Sequence, residues 1–192
     1  MHPLVKTFFI LGSSLGVLAM TGCQTLTQKP SLTTPSQGVN QFNLQGKIGV
    51  KTPEQSGSAF FTWVQEQEKF DIELSGILGI GKTQITGQPG QVKLNSAKTG
   101  EITAATPEEL LKRATGWQAP ITHIVNWVQA KPATLNAKIE KDDQKRISQI
   151  NEDGWNVNLS YNGTANLPNK LILQQQLESG KENRITMVIQ NR

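Results

Sequence analysis

The sequence predicts a mainly β protein of the α+β class: a single antiparallel half-barrel of about eleven strands covered by a helical insert. Apolar and polar residues alternate along most of the chain after residue 41, which is typical of half-buried strands. Only one stretch, around residues 106–132, has helical spacing instead. A parallel sheet would need a crossover after most strands, so the strands are antiparallel. One curved sheet of this length must close or be covered.

The first six strands follow from this alternation and from the turns between the segments. Phe42, Leu44, Ile48 and Val50 share one face of the first strand. Turn residues such as Pro89-Gly90 separate later segments. The predicted strands are residues 42–50, 57–65, 69–75, 83–87, 91–94 and 101–103.

The helical insert begins at Thr106, which is followed by a proline and two glutamates. Threonine is a good N-cap, and proline and acidic residues are favoured in the first turn. Gly116 ends this first helix, and a second helix follows Pro120 with apolar residues at helical spacing. Strands return at residues 137–140, 145–152, 155–161, 170–177 and 184–190, with Asp153-Gly154 as a strong hairpin turn.

The hairpin tip at residues 76–81 is unusual because it sets three aliphatic side chains among three glycines. Tips normally carry polar residues and face water. These side chains therefore need a partner, which can be a pocket, another protein or a membrane.

Residues 76–83 also match the phosphate-binding pattern G-x-x-x-x-G-K-T, in which Lys82 would reach a phosphate. That loop must open a helix. The following segment is too short and too rich in Gly and Pro for one, so the sequence favours an apolar tip with a chance match.

Residues 1–22 have the charge and the short apolar run of a signal peptide, too short for a transmembrane helix. Cys23, the only cysteine, follows at once, which resembles the lipobox of bacterial lipoproteins and implies acylation. The alternative is a chance cysteine behind an ordinary signal. Gln24 stands where Asp would imply inner-membrane retention, so the resemblance implies the outer membrane.

Residues 23–40 are predicted to be a flexible tether, and residues 41–192 are predicted to be the folded domain.

Composition argues against two functional classes. The 192 residues are 36% hydrophobic and 18% charged, and the net charge of +4 is scattered rather than clustered, so no nucleic acid is expected as a partner. Apart from His2 in the leader, the only histidine is His123, among apolar neighbours, which favours a structural role. With no nucleophile motif or metal-ligand spacing, neither an enzyme nor a cofactor is expected.

Several motifs in order resemble the LolB family of outer-membrane lipoprotein receptors. They are Cys23, the strand with Trp63, residues 74–79, the turn at 88–90, the helix start at 106–110, and Pro120 followed by Trp127. Ile77 departs from the family, which often has Pro there.

The resemblance implies an apolar cavity inside the half-barrel that accepts acylated lipoproteins from the periplasmic carrier LolA. It also implies a monomer that inserts this cargo among outer-membrane lipids. Leu78 corresponds to the family's insertion residue, flanked by Ile77 and Gly79. Trp63, Trp127 and Trp155 correspond to cavity residues.

Each of these assignments has an alternative. The tryptophans could be ordinary core residues, and the tip could fold back onto its own sheet. The whole protein could be a lipid-anchored assembly lipoprotein that binds a protein partner without acyl cargo. A hollow interior favours the receptor, whereas a filled core favours the assembly protein.

Overall fold

The computed structural model describes residues 40–76 and 81–192. These residues form one antiparallel sheet of 11 strands and two helices. The strands are β1 (Gln41–Lys51), β2 (Ser56–Glu66), β3 (Lys69–Ser75), β4 (Thr83–Gln88), β5 (Gln91–Ser96), β6 (Gly100–Ala104), β7 (Lys138–Lys141), β8 (Ile147–Glu152), β9 (Trp155–Ser160), β10 (Lys170–Gln176) and β11 (Glu182–Asn191). The helices are α1 (Pro107–Thr115) and α2 (Ile121–Trp127).

The sheet consists of two meanders joined at the first and last strands. Its order is β6-β5-β4-β3-β2-β1-β11-β10-β9-β8-β7. Ile48 lies opposite Met187, and Val50 opposite Ile185, across the β1–β11 pair. Because β6 and β7 end the strand order without pairing to each other, the sheet is open. The predicted half-barrel with a helical insert is confirmed.

The register of β1 against β11 is interrupted next to Gly46. A side chain at this position would bring its Cβ within 2.0 Å of the Val188 carbonyl oxygen, so only glycine allows the two backbones to approach this closely. Irregularities of this kind bend a sheet, and this one lies at the junction of the two meanders.

Helix α1 has both of the ends that its sequence predicts. The Thr106 hydroxyl accepts a hydrogen bond from the Glu109 N–H at 3.1 Å, and the Glu109 carboxylate accepts one from the Ala105 N–H at 3.0 Å. This pair resembles a capping box, except that Glu109 accepts from the residue before the N-cap rather than from the N-cap itself. At the other end Gly116 adopts a φ of 76° and donates to the Lys112 carbonyl, the left-handed C-cap that glycine favours.

The interior of the half-barrel is filled on one side. Against the C-terminal meander, α2 buries Ile124 and Trp127 on a cluster whose fully buried members include Ile150, Val157 and Leu171. A second, smaller cluster joins Leu110 of α1 to Val92 and Leu94 of β5. Both clusters lie within residues 41–191, so the described chain encloses a core of its own.

Neither of the two described helices has the length and apolar character needed to cross a bilayer.

Candidate functional site

A cavity of about 320 Å³ lies between the inner face of the N-terminal meander and the two helices. Strand residues form its floor and helix residues cover it, and most of the lining residues are apolar. The floor includes Ile48, Ala59, Phe61, Trp63, Ile72 and Ile85; the cover includes Leu110, Leu111, Ala114, Trp117 and Ile121. The volume is at the lower end of the range for small-molecule sites. Residues that could have filled this half of the barrel therefore surround a hollow.

One end of the cavity has a polar rim. Leu74 and Thr83 form the last paired position of the β3–β4 hairpin, and Ser96 pairs with Thr83 on the next strand. All three line the cavity, together with Lys98 and Thr99. The ends of β3 and β4 that face their connection therefore lie where the cavity reaches the end of the sheet.

The predicted insertion residues Ile77, Leu78 and Gly79 lie outside the described residues, so their role stays a prediction. The phosphate-loop alternative lacks the context it requires, since strand β4, not a helix, follows Lys82. The Lys82 ammonium instead pairs with the Glu73 carboxylate at 2.7 Å. Cys23 also lies outside the described chain.

Trp63 lies in the cavity wall, as the family resemblance implies. Its ring packs edge-on against Phe42 with 5.2 Å between centroids. Its indole N–H donates to the Gln65 side-chain oxygen at 2.8 Å, and the Gln65 amide donates in turn to the Gln67 carbonyl at 2.7 Å. The indole is thus fixed, with its polar atom paired and its apolar surface available to the cavity.

Trp127 and Trp155 lie elsewhere than the family resemblance implies. Neither lines the apolar cavity. Trp127 is fully buried in the filled core, and its indole N–H donates to the Glu152 carboxylate. Trp155 is 4% exposed and borders a separate polar cleft of about 550 Å³ with Asn151 and Gln174. These two residues support the barrel beside the cavity, and any part they play in acyl binding stays a prediction.

The cavity wall also contains Trp117, which the sequence did not single out. It lies in the connection between α1 and α2, where no periodic pattern marks which way a side chain points. Its backbone N–H donates to the Thr115 hydroxyl at 3.2 Å. Its indole Nε1 is buried and has no hydrogen-bond partner among the described residues. An aromatic residue just after a helix-ending glycine was the only available signal.

Glu152 joins the second helix to the sheet. Its carboxylate accepts hydrogen bonds from the Ala133 N–H at 2.9 Å, the Thr134 N–H at 2.7 Å and the Thr134 hydroxyl at 2.8 Å, besides the bond from Trp127. Burial raises the pKa of Glu152, but these hydrogen bonds together hold the pKa below its ordinary value. These hydrogen bonds come from the protein itself, which favours a structural role for the group.

His123 packs edge-on against Trp127 with ring centroids 5.6 Å apart. Its Nδ1 lies 3.6 Å from the nearest Asp153 carboxylate oxygen, beyond hydrogen-bonding distance. In the part of the chain that the structure describes, no three His, Cys, Asp or Glu side chains are grouped to hold a metal ion. The arrangement fits the structural role that the sequence predicts for this histidine.

An open half-barrel with a hollow apolar interior under a helical cover defines a protein with an internal site for an apolar ligand. The profile of one family, outer membrane lipoprotein LolB, matches residues 40–191. The chain belongs to this LolB family, as the sequence motifs indicated.

Similar proteins bear the same family name. Outer-membrane lipoprotein LolB of Stutzerimonas stutzeri (strain A1501) is 39% identical over 155 residues, which cover 78% of this chain and 72% of the relative. The protein of that name from Pseudomonas putida (strain W619) is also 39% identical over 155 residues, covering 78% and 73%. The one from Pseudomonas fluorescens (strain Pf-5) is 36% identical over 156 residues, covering 79% and 74%.

Proposed function

We propose that this protein is an outer-membrane lipoprotein receptor. It accepts lipoproteins from the periplasmic carrier LolA by binding their acyl chains in the apolar cavity, and it inserts them into the outer membrane. The observation that supports this most strongly is the hollow of about 320 Å³ in a chain of the LolB family.

The cavity wall suits an acyl chain. Lys98, at the rim, is the only charged residue among the described ones that line it. Each methylene group moved from water into such a site contributes about 0.8 kcal/mol, so an acyl chain is held by many small contributions. Transfer from one apolar groove to another needs no nucleotide, because the chain stays out of water throughout. The receptor function requires neither a catalytic residue nor a cofactor.

The lipid anchor and the hairpin tip explain why cargo would move toward the outer membrane. Acylated Cys23 would hold the protein at the outer membrane, and residues 23–40 would let the folded domain, residues 41–192, move above the bilayer as a monomer. The tip connects strands at the polar rim of the cavity. In this proposal Leu78 and Ile77 form an apolar tip that acts on the bilayer as cargo leaves.

The alternative of an assembly lipoprotein without acyl cargo receives less support. A protein that used its barrel only as a scaffold would gain stability by filling the N-terminal half as it fills the C-terminal half. The hollow lies mainly over the N-terminal meander, under both helices, and this unfilled apolar space favours a ligand site.

Transfer without ATP tests the proposal. The carrier is loaded with a fluorescent acylated lipoprotein and mixed with residues 24–192 of this chain, and cargo is followed by size separation. We expect cargo to leave the carrier for this protein with no nucleotide present. Cargo that stays on the carrier, while this protein is folded, would contradict the receptor function.

A charged substitution at the hairpin tip tests whether cargo binding and membrane insertion depend on different residues. We expect Leu78→Glu to leave cargo acceptance near wild type and to slow delivery into vesicles about tenfold or more, because a carboxylate resists entry into an apolar leaflet. Leu135→Glu is the matched control, since Leu135 is fully exposed on a loop outside the cavity. Equal delivery by the two variants would remove the insertion role from Leu78.

A further inference from the structure

The indole N–H of Trp117 is a buried donor without an acceptor. Its Nε1 is shielded from solvent and makes no hydrogen bond to any described residue. Buried donors nearly always have a partner, because leaving one unpaired costs free energy. An exception in a native structure calls for a physical reason, and one common reason is a ligand that supplies the missing acceptor.

Two other tryptophans have an indole N–H that is hydrogen-bonded within the protein, in contrast to Trp117. The Trp63 indole donates to Gln65 at 2.8 Å, and the Trp127 indole donates to Glu152. Trp63 and Trp117 both line the cavity, so the same wall holds one satisfied and one unsatisfied indole. The nearby Thr115 hydroxyl is already engaged, because it accepts from the Trp117 backbone N–H and donates to the Leu111 carbonyl at 2.8 Å.

We propose that the Trp117 indole N–H binds a carbonyl oxygen at the head of the cargo's acyl chain, an ester or an amide oxygen. This inference rests on the proposed function and adds a polar contact to a site that is otherwise apolar. A ligand made only of hydrocarbon could not satisfy the donor. A carboxylate or phosphate would bring a charge next to a wall whose only charged member, Lys98, lies at the rim.

The position of Trp117 makes it suitable for this contact. It follows Gly116, the C-cap of α1 with a φ of 76°, and precedes α2, so it belongs to the connection between the two covering helices. Its backbone is fixed by the Thr115 hydroxyl, while its ring packs against the main hydrophobic cluster. A ligand that fills the cavity contacts this connection, and the indole N–H can then donate a hydrogen bond to a carbonyl of that ligand.

Two neutral lipids of equal chain length test the contact. Dioctanoylglycerol has two ester carbonyls, whereas its diether counterpart has none. Their affinities for residues 24–192, which contain the whole described core, are measured by displacement of an apolar fluorescent probe. We expect Trp117→Phe to lower the preference for the diester over the diether by about two- to tenfold, the effect of one hydrogen bond.

Trp63→Phe is the matched control. It removes the same atoms from the same wall, but that N–H is already paired within the protein. A loss of packing in either variant weakens the binding of both lipids equally. The ratio of the diester affinity to the diether affinity therefore reports only the hydrogen bond. An unchanged ratio in Trp117→Phe, or an equal change in Trp63→Phe, would overturn the inference and leave the proposed function standing. Failure of both lipids to displace the probe from the wild-type protein would contradict the proposed function itself.

A spectroscopic measurement gives the same answer without relying on a variant's folding. In wild-type protein labelled with ¹⁵N-tryptophan, the Trp117 indole proton should move downfield when the diester binds and stay in place with the diether. N-octyl octanamide, which has an amide carbonyl only, shows whether the ester or the amide gives the larger shift. A Trp117 signal that responds alike to the diester and the diether would overturn the inference.

Discussion

Glu152 is the only charged side chain that is buried among the described residues. It accepts hydrogen bonds from Trp127, Ala133 and Thr134, so it ties α2 and the segment after it to the end of β8. Removing such a carboxylate leaves buried donors without a partner. We expect Glu152→Gln to lower the free energy of unfolding by about 1–3 kcal/mol near neutral pH, measured by urea unfolding.

The pH dependence of this effect has a definite sign. Because the pKa of Glu152 is lowered in the folded state, its contribution to stability is complete above the ordinary glutamate pKa and is lost as the pH falls through the lowered value. The difference between wild type and Glu152→Gln should therefore shrink in acid. Glu140→Gln, at an exposed position on β7, is the control. A difference that stays constant with pH would contradict the assigned role.

Single residues also show where sequence reasoning stops. Trp63 lines the cavity, in agreement with the family resemblance, whereas alternation along its strand indicates only the face on which it lies. Trp117 was missed because a connection between helices has no periodicity. Trp127 and Trp155 point inward as expected, but apolar alternation is the same whether a strand faces a hollow or a filled core.

At the scale of elements, the N-terminal cap of α1 stabilises the helix that covers the cavity. Thr106 caps the helix whose Leu110, Leu111 and Ala114 lie over the hollow. We expect Thr106→Ala to destabilise the protein by about 1 kcal/mol, and Thr106→Ser to retain most of the stability because serine keeps the hydroxyl. Chemical unfolding curves measure both. Equal loss in the two variants would mean that the hydroxyl does not stabilise the helix.

Most element positions could be predicted, because they depend on local signals. The capping residues of α1 and the Asp153-Gly154 turn set their boundaries within the chain itself. The pairing of β1 with β11 could not be predicted, since alternation specifies the face of a strand and not its neighbour. That pair joins residues more than a hundred positions apart, such as Ile48 and Met187, and it makes one sheet from two meanders.

The whole molecule divides its interior into a filled half and a hollow half. The C-terminal meander and Trp127 of α2 pack a filled core, which supplies stability. The N-terminal meander and α1, together with Ile121 and Ile124 of α2, border an apolar cavity. A cavity costs stability in proportion to its size. The protein tolerates this cost on the side that has the polar rim, which is consistent with a site that takes up and releases an acyl chain.

Filling the cavity tests this account most directly. Ala59 is 2% exposed and lines the floor on β2, so Ala59→Phe places a ring in the hollow. Ala165→Phe makes the same change on an exposed loop. The measurement is the rate at which each variant takes lipoprotein cargo from the carrier without ATP. We expect Ala59→Phe to accept cargo at about a tenth of the wild-type rate or less, and Ala165→Phe to accept it at the wild-type rate. Wild-type transfer by a folded Ala59→Phe protein would show that the acyl chain binds elsewhere.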